Sequence, residues 1–272
     1  MRWTEGDVEA NGIRLHYHRT GTGKVPVVCA HGITDNGRCW SGVAQRLADR
    51  FDLVLVDARG HGRSEAPEEG YARAVHAADH AGLIRALGLD RPIFIGHSMG
   101  AATGIAVAAE YPDCVRALVV EDPPIREPQA ARSPARQETA RHRTANIEQR
   151  KLVSLEDLKA TGREKHPEMT EPDLQAWTQS KYEVSPNVGK WTPGPKPDWF
   201  ELLARIGCPT LLMTGNATHG AIVTRATAGR MLDALQDAQE KNFELAGHCI
   251  RYHCFEAFMT GLNEFLTKRG FG

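Results

Sequence analysis

Pro92-Ile93-Phe94-Ile95-Gly96-His97-Ser98-Met99-Gly100 is the stretch that decides the fold. A short apolar run of strand character enters a serine bracketed by glycines, and a small-residue helical pattern, AATGIAVAAE, follows it. In that context a Gly-x-Ser-x-Gly string predicts a tight strand-to-helix turn that strains the serine backbone and projects its hydroxyl. Backbone segments crowd such a turn two positions to either side of the serine, and Gly96 and Gly100 supply the small residues it requires. Ser98 is therefore the candidate nucleophile.

Upstream, apolar runs alternate with helical patterns: 25–30 (VPVVCA), a helix near 40–49, 53–57 (LVLVD), a helix near 72–87, then 92–96. That alternation predicts a mostly parallel sheet with helices on both faces. Before it, extended runs at 8–10 and 13–19 flank Asn11-Gly12, the signature of a two-residue hairpin. Downstream, VRALVVED at 115–122 continues the rhythm, which then stops. From 123 to about 199 the chain holds prolines, charges and three of the five tryptophans (Trp177, Trp191, Trp199), but no buried-strand run. The rhythm resumes with PTLLMTG at 209–215, a helix near 224–238, a strand at 242–245 (NFEL) and an amphipathic helix from about 250 to 267. Core elements on both sides of the break predict one α/β core, 1–124 and 200–272, with a helical lid at 125–199 inserted between two of its strands.

The partners that Ser98 needs are sought at strand ends. His31-Gly32-Ile33 follows the run 25–30, so the backbone N–H groups of Ile33 and Met99 are the expected oxyanion hole. The His31 side chain is read as satisfied within its own loop. Asp57 and Arg59, in DARGHGRS at 57–64, are read as pins for that loop rather than as active-site charges. In NFELAGHCI, His248 follows a late strand and precedes the last helix, which makes it the expected base, with His253 as competitor. The loop after the post-lid strand, Gly215-Asn216-Ala217-Thr218-His219, offers no carboxylate, whereas Val120-Glu121-Asp122-Pro123-Pro124 offers two. Asp122 is the expected acid. Glu121 is its rival, because a shift of one residue along a strand exchanges faces.

These residues resemble the α/β-hydrolase superfamily over the whole chain outside the lid. More narrowly, EANGIRLHYHRTGTG, AHGIT, FDLVLVDARGHGRS, GHSMGA and VVEDPP look like the N-formylmaleamate deformylase family. The resemblance implies an α/β-hydrolase fold and a triad of Ser98, Asp122 and His248. Zearalenone-type lactonases are similar in placing the acid after this strand. The lid carries no matching motif and GNATHGAIV replaces the corresponding loop, so the resemblance does not carry the substrate with it.

Length and composition bound the remaining choices. A chain of 272 residues fits one sizeable core with an insertion. A formal net charge of -1 with both signs dispersed argues against a nucleic-acid or anionic-membrane partner. The N-terminal MRWTEGDVEANG lacks an apolar signal stretch, and no window reaches the roughly 18 apolar residues of a membrane span, so a cytoplasmic protein is expected. Six scattered cysteines without a CxxC pair suggest neither a zinc site nor a disulfide framework. No metal or organic cofactor is expected.

The first functional reading is hydrolysis of a carboxylic ester or lactone through an acyl-enzyme, and the second is cleavage of a formamide or other small amide. The implied partner is a small molecule with such a carbonyl. A hydrolase-like receptor of low turnover is a reading from another class, and a cofactor-free oxygenase is a further rival. Serine rather than aspartate at the elbow disfavours epoxide hydrolase and haloalkane dehalogenase chemistry. Arg126, Arg132, Arg136, Arg141, Arg143, Arg150 and Lys151 are read as a solvated helix face, the sharper alternative being that one turns inward to clamp a substrate carboxylate.

Overall fold

The computed structural model describes residues 3–125, 135–192, 194 and 198–271, with the backbone alone for 135–139. Asn11 and Gly12 adopt φ of +52° and +76°, the double left-handed turn that matches strand twist, and join β1 (Thr4–Ala10) to β2 (Ile13–Arg19). Six further strands follow: β3 (Val25–Ala30), β4 (Phe51–Val56), β5 (Ile93–His97), β6 (Ala117–Glu121), β7 (Thr210–Thr214) and β8 (Ala238–Asn242). They form one eight-stranded sheet in the order β1-β2-β4-β3-β5-β6-β7-β8. Only the pairs β1–β2 and β2–β4 are antiparallel. The chain leaves β3 for β4 on one side and passes to β5 on the other. The C-terminal ends of β3 and β5 thus flank a topological switch point, where ligands gather in sheets of this type.

Continuous apolar runs become strands buried on both faces. Val28, Phe94, Leu118 and Leu212 lie in one core cluster, and Cys29, Ile95, Val119 and Leu211 in another, the split that a two-residue period imposes. Helices α2 (Arg73–Ala86), α3 (Met99–Glu110) and α8 (Arg225–Ala234) contribute to the first cluster, while α1 (Ser41–Leu47) and α10 (Phe255–Lys268) contribute to the second. Each fully buried Leu, Ile or Phe contributes about 1.5–3 kcal/mol, so the two layers hold the strand ends rigidly in place.

Between β6 and β7 lie α4 (Ala135–Arg150), α5 (Leu155–Lys165), α6 (Glu171–Glu183) and α7 (Trp199–Leu203), a lid-like helical region. Capping explains two of its boundaries: Ser154 accepts from Asp157 N, and Thr170 accepts from Asp173 N ahead of Pro172 in the first turn of α6.

Two expectations need correction. The last strand is Ala238–Asn242, AQEKN, and not NFEL. As a sheet edge it is only half-buried at every position, so it carries no apolar run, while Leu245 is 80% exposed. The terminal helix is also broken at Cys254, leaving a short α9 (Ile250–His253) that sets Arg251 against Glu121.

Candidate active site

Ser98 sits between β5 and α3 with φ +51° and ψ −112°, a conformation that L-residues avoid unless their surroundings enforce it. The enforcement is visible at both glycines. A Cβ on Gly96 would lie 2.3 Å from the Gly100 carbonyl oxygen, and one on Gly100 would lie 2.1 Å from that of Ala30. Ser98 N also donates to Glu121 O at 2.9 Å, which ties the turn to the end of β6.

Asp122, just beyond β6, has φ +41°, and its N–H donates to Met213 O on β7 at 3.0 Å. Its carboxylate is fully buried and three donors converge on it: His248 Nδ1 at 2.5 Å, Ile222 N at 2.8 Å and Val223 N at 2.9 Å. With Nδ1–H donating, the lone pair of His248 lies on Nε2. The ring keeps 30% side-chain exposure. Glu121 serves a different partner. Its carboxylate accepts from Arg251 N at 3.0 Å and from Arg251 Nη1 at 2.7 Å. His253 Nδ1 accepts from Gly247 N at 3.1 Å, so its Nε2–H faces His166 Nδ1 at 3.1 Å on the lid-like region. The carboxylate-free loop at 215–219 stands beside the His248 loop, with Asn216 N donating to Ala246 O at 2.7 Å.

Residues 27–259 match the model of the alpha/beta hydrolase family. The chain belongs to that family. It is 30% identical over 266 residues to the N-formylmaleamate deformylase of Pseudomonas putida, covering 96% of each chain. It is 43% identical over 115 residues to the 2-(acetamidomethylene)succinate hydrolase of Mesorhizobium japonicum, a match spanning 42% of this chain and 41% of that protein. The crystal structure of E-2-(acetamidomethylene)succinate hydrolase superposes with a TM-score of 0.81 at 24% identity, covering 98% of this chain and 100% of that one, a likeness of fold. The protein is thus a hydrolase, and the likeness supports a small ester, lactone or amide carbonyl as substrate. Among the described residues no helix is long and apolar enough to cross a membrane.

In this hydrolase the loop after β3 is held from two sides. From the core side, His31 Nδ1 donates to Gly32 O at 2.8 Å while Nε2 accepts from Ala58 N at 3.1 Å. His61 Nδ1 donates to Arg59 O at 2.8 Å, and its Nε2 faces Thr34 N at 3.4 Å. Burial pushes His31 down to about 4 and His61 down to about 3, so both rings stay neutral and keep an acceptor nitrogen. From the other side, Ser180 Oγ and Lys181 Nζ of α6 donate to Thr34 O at 3.0 and 2.9 Å. Ile33 and Met99 border one apolar group with Ala58, Ala102, Ile147, Val184, Val188 and Trp191. Asp57 receives Gly37 N at 2.7 Å and Arg63 N at 2.8 Å, whereas Arg59 pairs with Asp79 through two bonds of 2.5 and 2.6 Å. Both are loop pins, though not of each other.

Several positioning residues escape a reading of the sequence. His97 Nε2–H donates to the His248 carbonyl at 3.0 Å and its ring lies 4.7 Å from that of His248, joining the elbow to the histidine loop. Burial holds His97 well below the ordinary histidine range. Its one signal was its place before the serine. Lys181 is buried in an ion pair with Asp35 at 2.8 Å, and Asp35 in turn stands 4.0 Å from Arg251. Of the arginine run, Arg143 turns inward, but toward the Gly189 and Trp191 carbonyls at 3.0 and 2.7 Å. Arg141 is exposed, and Arg150 reaches Thr34 Oγ1 at 3.5 Å. Arg126, Arg132 and the side chain of Arg136 lie outside the described residues.

Proposed function

We propose that this protein is a serine hydrolase that transfers the acyl group of a small carbonyl substrate through Ser98 to water. The observation that carries this reading is the 2.5 Å contact from His248 Nδ1 to the buried Asp122 carboxylate, at strand ends flanking a strained serine. In the proposed cycle His248 Nε2 takes the Ser98 proton as Oγ attacks, then returns it to the leaving group. Asp122 fixes the imidazole tautomer and stabilises its cation. The backbone N–H groups of Ile33 and Met99, the latter at the first position of α3, hold the oxyanion. Water repeats the sequence on the acyl-enzyme. Residues 125–199 act as the lid, which Ile147, Val184, Val188 and Trp191 pack against Met99 at the start of α3.

An ester or lactone is the first expectation from sequence. The full-length likeness to a deformylase, together with the partial likeness to an acetamidomethylene hydrolase, supports the formamide or small-amide reading. A fluorophosphonate should label Ser98 stoichiometrically, and the label should vanish in Ser98→Ala. Turnover compared across p-nitrophenyl esters, lactones and N-formyl or N-acetyl amides then ranks the substrates. A protein that completes only a few turnovers on every class would be a receptor instead.

A further inference from the structure

The β1–β2 hairpin carries a second set of chemically capable side chains. Glu5 lies opposite His18 and Asp7 opposite His16 in the ladder, and the two-residue spacing puts all four on one face. His16 is almost fully buried, and its Nδ1–H donates to Asp7 Oδ1 at 2.9 Å. Its Nε2 lone pair therefore points away from Asp7, and that buried nitrogen has no hydrogen-bond partner among the described residues. Glu5 Oε2 stands 4.0 Å from it and 3.5 Å from His18 Nδ1. Glu5 Oε1 is occupied separately by Arg63 Nη1 at 2.7 Å, which leaves Oε2 turned toward the two rings.

We propose that Glu5, His16 and His18 form a binding site for a divalent transition metal of the zinc type. Two imidazole nitrogens and one carboxylate oxygen, all within 4.8 Å of one another, are a donor set suited to such an ion. The Asp7 carboxylate behind His16 is the outer partner that fixes the tautomer of a metal-binding histidine. A tetrahedral ion with bonds of about 2.0–2.1 Å draws its ligand atoms to roughly 3.3 Å apart, so the exposed Glu5 side chain must close in and the His18 ring must turn toward the buried His16 nitrogen. Glu5 and His18 both line a cleft of about 560 Å³ between the hairpin and α5 and α6, and a second of about 830 Å³. These give the ion an entry path and an open position for water. Neither Ser98, Asp122 nor His248 lines either cleft, so the site is separate from the hydrolytic one. Scattered cysteines gave no hint of it, because its ligands are histidines and a carboxylate brought together by hairpin register.

The test is a calorimetric titration of the chelator-treated, dialysed full chain with zinc chloride. One-to-one binding is expected, weakened at least about tenfold in Glu5→Gln and in His18→Gln, and about tenfold in Asp7→Asn. His16→Ala should abolish binding, but it empties a buried position, so the exposed Glu5→Gln keeps the test decisive should that variant fail to fold. Absence of one-to-one binding by the wild type overturns the proposal. Unchanged affinity in either Glu5→Gln or His18→Gln does so as well, because it places the ion elsewhere.

Discussion

At the ends of β5 and β6 the backbone positions the groups proposed to react, whereas buried charges fix the side chains where α6 meets the loop after β3. In the first region Ser98 and Asp122 hold positive φ while their backbone N–H groups are tied to the neighbouring strand ends, and the Asp122 carboxylate is anchored by two further backbone N–H groups as it meets His248. In the second, Lys181, Asp35, Arg251 and Glu121 form a chain of ions sealed from solvent, in which every member satisfies another. The contrast teaches where substitutions will be felt. Loss of a side chain at the corner should remove chemistry and spare the fold, whereas loss of an ion from the chain should unfold the protein before it alters the chemistry.

The largest effect expected is for Ser98→Ala, which should lower turnover by about 10⁶ with an unchanged melting temperature. A variant that keeps most of its activity would remove the covalent mechanism. Next comes Asp122→Asn, with kcat down by about 10⁴ because the amide favours the wrong imidazole tautomer. Here the two regions can be separated by one residue. Glu121→Gln leaves Arg251 buried and poorly paired, so urea unfolding should register a loss of about 3 kcal/mol while kcat of the folded fraction changes little. A larger kcat loss for Glu121→Gln than for Asp122→Asn would transfer the acid's role to Glu121.

Lys181→Met should likewise cost about 3 kcal/mol, since Asp35 is left in the interior, and adding Asp35→Leu should recover part of it. If the double variant is no more stable than the single, the pair is not acting as a unit. The last test varies pH instead of sequence. His31 and His61 are held below the unfolded value near 6.5, so the unfolded chain binds protons that the folded one refuses. Their contribution is complete above about pH 6.5 and is lost as pH falls toward 4, at about 1.4 kcal/mol per pH unit for each proton. Urea midpoints that stay flat from pH 6.5 to 5 would show that the rings accept protons within the fold.

The corner was legible in the sequence for the same reason that it is rigid. Gly96 and Gly100 are demanded by backbone approaches of 2.3 and 2.1 Å, and a steric demand of that kind leaves a pattern in neighbouring positions. Asp122 could be proposed as the acid because the 215–219 loop lacks a carboxylate, but what sets it apart from Glu121 in the structure is its φ of +41°, which strand periodicity does not encode. The ion chain left no trace, because Lys181 and Asp35 lie 146 residues apart and a lone lysine in a helix reads as surface. His97 was hidden inside the very motif that singled out Ser98 as the candidate nucleophile.

The polar composition that concealed β8 has another consequence, for how the protein behaves in a crowded solution. An open sheet edge presents unpaired N–H and C=O groups to any passing strand, and a long apolar edge invites chains to stack into aggregates. Here the last strand is short and carries Glu240 and Lys241, the former held by Arg225 at 3.1 Å and the latter by Glu264 at 3.0 Å. At the opposite margin, β1 sets Glu5, Asp7 and Glu9 along its length. Both margins therefore greet an incoming strand with charges that would have to be stripped of water, a cost that disfavours edge-to-edge pairing.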